Sequence, residues 1–255
     1  MTARVRWLDA ALGATGALGL FLLWEAAARI GLVSPNIFPA PTLAIVSTLQ
    51  EMPLADILGH VGASVQRVVL GFAFGAALGI LIGITSGWYK ALGVLTRPLI
   101  EVFRPIPPLA WIPLAIIWFG LGEPSKVFVI FLGAFFPMVT NAYKGMTGID
   151  PMLLRAAQTM GLKGPALLFR VAIPAALPDL ATGIRVGWGL SFGVLVAAEL
   201  IAAEKGMGFM IMNARQLGEV GVVVFGIILI GLVNLVTDYA IGELIRRRMG
   251  RWHAV

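Results

Sequence analysis

Charge nearly vanishes from the chain in six stretches, residues 10–28, 68–88, 105–121, 127–143, 186–203 and 220–236. Each is about as long as the 17–25 apolar residues that carry a helix across a bilayer. Lys and Arg gather at their ends, where a polar headgroup region would begin. The pattern predicts an all-α integral membrane protein with six transmembrane helices. Arg4 and Arg6 ahead of the first stretch, with Ala26-Ala27-Ala28 behind it, imitate a signal peptide. The apolar run is longer than the roughly 7–15 residues of such a segment, and Glu25 interrupts the approach to the alanines, so it is read as a span.

Composition agrees. Hydrophobic residues make up 59% and charged residues 13%, against about 45–50% and about 25% in soluble proteins, and mean hydropathy is +0.92. Too little polar surface remains to cover a water-soluble particle. The absence of cysteine excludes a disulfide scaffold. The net charge of +6 does not point to nucleic acid, because the basic residues flank spans. With both termini in the cytoplasm, 14 of the 19 Lys and Arg fall on the cytoplasmic side, as the positive-inside tendency requires.

Three local patterns refine this picture. Span 68–88 carries glycine at 71, 75, 79, 83 and 87, a groove that lets a neighbouring helix approach closely, as a static contact or as a sliding surface. The run Arg104-Pro105-Ile106-Pro107-Pro108-Leu109-Ala110-Trp111-Ile112-Pro113 lacks too many amide donors for a regular helix and predicts a broken one. In the cytoplasmic loop 144–185, Asp150-Pro151 starts a short helix by capping its first amides, and Gly161 ends it. Lys163-Gly164-Pro165 starts a second helix expected to run to Pro174. Leu153, Leu154 and Ala157 are expected on one side of the first helix, with Arg155 and Gln158 on the other. The long segment 31–67, with Pro35, Pro39 and Pro41, is expected to lie along the outer membrane surface with a helix over 42–50.

Arg155-Ala156-Ala157, then Gly161, then Val171-Ala172-Ile173-Pro174 resembles the EAA loop of membrane subunits in bacterial ATP-binding-cassette importers. The stretches 101–113, 118–122 and 197–203 are similar to the taurine, sulfonate and nitrate branch, with taurine-type permeases nearest. One position departs: the motif usually begins with glutamate, and here it is Arg155. The resemblance implies a type I importer transmembrane domain of the MetI-like fold in the bacterial inner membrane. It would pair with a second copy of itself, two ATPase subunits and a periplasmic binding protein, and carry a sulfonate by alternating access. Taurine is favoured over an aliphatic sulfonate, nitrate or bicarbonate. The residues implied in ATPase coupling are Asp150, Pro151, Leu154, Arg155, Ala156, Ala157, Gly161, Lys163 and Pro174. No Gly-x-x-x-x-Gly-Lys-Ser/Thr loop is present, so ATP and Mg belong to the ATPase; this chain is expected to be no enzyme and to bind no cofactor. The division expected is 1–60 for the tail, first span and surface segment, 61–245 for the permease core, and 246–255 for a basic cytoplasmic tail.

Ionisable and polar groups inside spans are costly, which makes them candidates for the substrate path. Glu199 near the outer end of its span, Arg104 at the cytoplasmic mouth, Trp111, Trp118, Trp188, Asn141 and Ser191 form that set, with helix-to-helix bonding and interface anchoring as the competing uses. Arg185 and Asp238 are expected to pair. His60 and His253 lie too far apart in the topology for a metal site. A secondary transporter should show midplane carboxylates and an internal repeat, and a membrane enzyme converging His, Asp or Glu; the sequence shows neither.

Overall fold

The computed structural model describes residues 3–32, 34 and 37–249, and within them the side chains of 3–14, 17, 201, 202, 248 and 249 are left aside. Pro35, Arg251, His253 and the side chains of Arg4, Arg6 and Arg248 therefore lie outside the described residues. Among the described residues the elements are all helical: α1 (Ala3–Arg29), α2 (Pro41–Glu51), α3 (Leu54–Trp88), α4 (Lys90–Phe103), a 3-10 turn (Pro108–Trp111), α5 (Ile112–Phe119), α6 (Glu123–Thr147), α7 (Pro151–Thr159), α8 (Gly164–Leu167), a π turn (Leu168–Ala172), α9 (Ile173–Ala202), α10 (Met207–Leu217) and α11 (Val220–Met249).

The glycine repeat builds the centre. A Cβ added to Gly75 would stand 2.6 Å from the Phe131 carbonyl oxygen, to Gly79 2.7 Å from Met138 Cβ, to Gly83 2.5 Å from Ala142 Cβ, and to Gly87 2.5 Å from Met146 Cβ. Only hydrogen fits at such separations, so α3 and α6 touch backbone to backbone and gain dispersion contacts that lipid would not replace. The partner residue advances by four whenever the glycine does, so the two helices run parallel.

That direction decides what the intervening chain does. Arg67 meets Glu123 at one end of the pair, and Gly87 meets Met146 at the other, about 30 Å away along α3 at 1.5 Å per residue. The segment between must travel back that distance, and α4 with Pro108–Phe119 is bent by 85° at its break. It is therefore one broken span, not a loop that dips and returns. Pro105, Pro107, Pro108 and Pro113 supply the break.

α9 runs antiparallel to α6: Gly145 packs on Ala176, Asn141 faces Gly183, and Ala134 faces Gly187. α11 runs antiparallel to α9, joined by Arg185 Nη2 to Asp238 Oδ2 at 3.0 Å and by Trp188 Nε1 donating to Thr237 Oγ1 at 3.1 Å. α2 and α10 cover the Arg67 end, with Met210, Ala214 and Phe225 packed on Ile57 and Ile45. Four unbroken helices and the broken pair give five spans among the described residues. The sixth stretch seen in the sequence falls in α1, a helix of 27 residues.

Three boundaries differ from expectation. α3 begins at Leu54, so the division at 60/61 falls inside one continuous helix of 35 residues. α4 was not anticipated: Pro98 and the Arg97–Glu101 pair disguise a helix whose charges simply lie on its polar side. Pro174 does not end a helix. The Ile173 amide reaches back to the Leu168 carbonyl, five residues away, and this π turn absorbs the missing proline donor so that the chain runs on into α9.

Candidate functional site

At the Arg67 end, charge is buried. Glu199 on α9 is 1% exposed and accepts from Ser64 Oγ at 2.8 and 2.9 Å, from Arg67 Nη1 at 2.5 Å and from the Gly208 amide at 2.9 Å. Arg67 also grips Glu123 with two parallel bonds of 2.6 and 2.7 Å and donates to the Lys205 carbonyl. Lys126 reaches Glu123 at 3.0 Å. A fully engaged fork of this kind repays much of the desolvation that burial costs. The turn before α10 closes over it: Gly206, at φ 138, has no room for a Cβ, which would stand 2.4 Å from Glu199 Oε1, and its amide donates to His60 Nδ1 at 3.0 Å. The Met207 amide donates to Ser64 Oγ at 2.8 Å. The cluster thus ties α3, α6, α9 and α10 into one cap.

The opposite end is open. Asp150 Oδ1 accepts from the Met152 amide at 2.8 Å, and Pro151 opens α7. Past its end, the Leu162 amide bonds back to the Ala157 carbonyl and the Gly161 amide to Gln158, with Gly161 at φ 89. That is the Schellman closure, which needs a left-handed residue. Leu154 and Ala157 face inward, and Leu154 packs with Met146, Ala172 and Ala176. Met152 (75% exposed) and Met160 (84% exposed) face out, with Leu153 and Phe169. Arg155, Ala156, Gly161 and Lys163 are exposed beside them. Leu153 thus lies on the outward side, not with Leu154.

Between the ends a cavity of about 520 Å³ is lined by Arg104, Pro108 and Leu109 at the break, by Leu132, Gly133, Phe136, Pro137, Thr140 and Asn141 of α6, and by Val186, Leu190, Gly193 and Val194 of α9. Arg104, an exposed side chain, therefore borders this cavity beside the middle of α6 and α9 and not the cytoplasmic mouth. Of the seven residues assigned to the path from sequence, Arg104 and Asn141 meet here. Trp111 and Trp118 line a separate, wholly apolar groove of about 380 Å³ with Phe103, Phe128 and Phe135. Trp188 packs edge-on against Phe72 and Phe192 in the core, Ser191 donates to the Gly187 carbonyl, and Glu199 belongs to the cap. Arg67, Ser64 and Glu123 escaped the sequence reading. The available signal was depth: a carboxylate near the outer end of one span needs a cation at the same level of another.

Residues 75–251 match the family described as binding-protein-dependent transport system inner membrane component. The chain is 38% identical to the putative aliphatic sulfonates transport permease of Bacillus subtilis (strain 168), covering 91% of this chain and 84% of that one. It is 36% identical to the taurine transport system permease of Escherichia coli (strain K12), covering 92% and 86%. A chain of the inward-facing MetNI methionine ABC transporter superposes with a TM-score of 0.60 at 19% identity, covering 76% of this chain and 96% of the other, which establishes the MetI-like fold. The glycine-packed bundle with its broken span, read with these matches, makes this chain an integral membrane permease subunit of an ABC transporter, a member of the binding-protein-dependent inner membrane component family.

Proposed function

We propose that this chain forms, with a second copy of itself, the path of an ATP-driven importer for a small sulfonate, taurine favoured. Two ATPase subunits supply the energy, using ATP and Mg, and a periplasmic binding protein delivers substrate to the Arg67 end. The α7 end then faces the cytosol, with both termini, in the inner membrane.

The observation that carries this reading is the outward face of α7. Met152, Leu153 and Met160 are apolar and exposed on a helix projecting beyond the spans, a surface that water tolerates poorly and a protein cleft would cover. Leu154 transmits its movement, because it seats α7 on the apolar cluster of Met146, Ala172 and Ala176 that joins the end of α6 to the start of α9. Arg155, standing where the motif usually has glutamate, gives this surface a positive charge for which the ATPase must offer an acceptor. Arg104 holds the sulfonate in the cavity, since a guanidinium presents donors matched to an oxyanion. Movement of α7 with ATPase closure opens the cavity to alternate sides.

Reconstitution tests this directly. Proteoliposomes holding the chain with its ATPase and binding protein should accumulate taurine only when ATP is supplied to the α7 side. Accumulation without any ATPase, or none with all components present, contradicts the reading.

A further inference from the structure

We infer that Thr140, Asn141 and the Gly133 carbonyl read the ammonium group of an aminosulfonate, so that the cavity itself, and not only the delivering protein, distinguishes an aminosulfonate from a plain sulfonate. The inference rests on the permease reading above and assigns the polar groups of the cavity other than Arg104.

The polar groups lining this cavity are unequally committed. Thr140 Oγ1 donates its hydrogen to the Phe136 carbonyl at 2.8 Å, and Asn141 Nδ2 donates to the Pro137 carbonyl at 2.8 Å. Thr140 has thus committed its one hydrogen and Asn141 one of its two amide hydrogens to their own helix, while the Thr140 Oγ1 lone pairs and Asn141 Oδ1 accept no hydrogen bond among the described residues. Pro137 has no amide hydrogen, so the carbonyl of Gly133, four residues earlier, lacks its helical donor. Gly133, Pro137, Thr140 and Asn141 all line the same cavity as Arg104.

Among the described residues the result is a compartment with a single lining cation, Arg104, and three acceptors left free. A substrate that is only an anion would satisfy Arg104 and leave those acceptors facing it unmatched, a costly arrangement once water is displaced. A substrate carrying an ammonium a few bonds from its sulfonate supplies the missing donors, three hydrogens for three acceptors. Among the described residues no carboxylate lines the cavity, so the ammonium is held by neutral oxygens, which bind without trapping. The volume of about 520 Å³ lies within the roughly 300–1,000 Å³ of small-molecule sites.

Two variants address the acceptors separately. Asn141→Leu removes Oδ1, and Pro137→Ala restores an amide that satisfies the Gly133 carbonyl. In proteoliposomes with the complete transporter, binding protein charged with taurine or with ethanesulfonate, each variant should lower ATP-driven taurine uptake about tenfold and leave ethanesulfonate uptake undiminished or raised, since an unmatched acceptor is gone. Ethanesulfonate also controls for folding, since a collapsed variant moves neither. Equal loss of both substrates, or undiminished taurine uptake, overturns the inference while the permease reading stands. If the unaltered transporter moves neither compound, the reading of the site as a sulfonate path fails and the inference with it.

Discussion

At the Arg67 end, Arg67 and Glu199 are folded beneath the turn at Gly206, which leaves no room for a methyl group, and Arg67 with Lys126 holds the exposed Glu123 beside them. At the α7 end, Met152 and Met160 stand in solvent on a helix seated through Leu154 and Ala157. The first end is finished within one chain, and the second is not. The alternating access proposed above would use both, a closed cap that keeps the bundle in register and a surface on which a partner pulls.

The contrast sets an order of expected effects. Glu199→Ala should be the most damaging to stability, at about 3–5 kcal/mol, because it leaves a buried guanidinium and two donors short of an acceptor; thermal unfolding in detergent measures it, and Glu199→Gln should recover part of the loss. Gly83→Val comes next, at about 1–3 kcal/mol of overpacking, since even a Cβ there stands 2.5 Å from Ala142 Cβ. A stable, active Gly83→Val protein would show that α3 and α6 slide apart more readily than the packing implies. At the other end, Gly161→Val should cost only about 1–2 kcal/mol of left-handed strain, for no atom lies within 4 Å of a Cβ there. Its transport defect should nevertheless be large, with ATP hydrolysis continuing and uptake lost. Loss of stability matching that of Glu199→Ala would erase the distinction between the ends.

Much of this was legible locally. The Asp150 cap, the Gly161 closure, the proline break and the close-packed glycines depend on residues a few positions apart, and hydropathy located the span centres. The glycine face fits α6 over four turns, a contact that suits a static pair and a sliding one alike. What the sequence hid was tertiary. Glu199 and Arg67 are separated by 132 positions, and nothing near either names the other. Arg104 reads as an anchor at the membrane surface only if α4 ahead of it is missed, for that helix ends at Arg104 and brings it to the edge of the cavity. Trp111, Trp118 and Trp188 looked equivalent by residue type, and only packing separates the apolar groove from the core.

What covers α7 matters most. The chain has no cysteine, so a single cysteine at Met160 reports one site only. In intact cells it should resist a membrane-impermeant thiol reagent added outside, and in inverted vesicles it should crosslink to the ATPase subunit. Labelling from outside the cell, with no crosslink, would contradict the central claim.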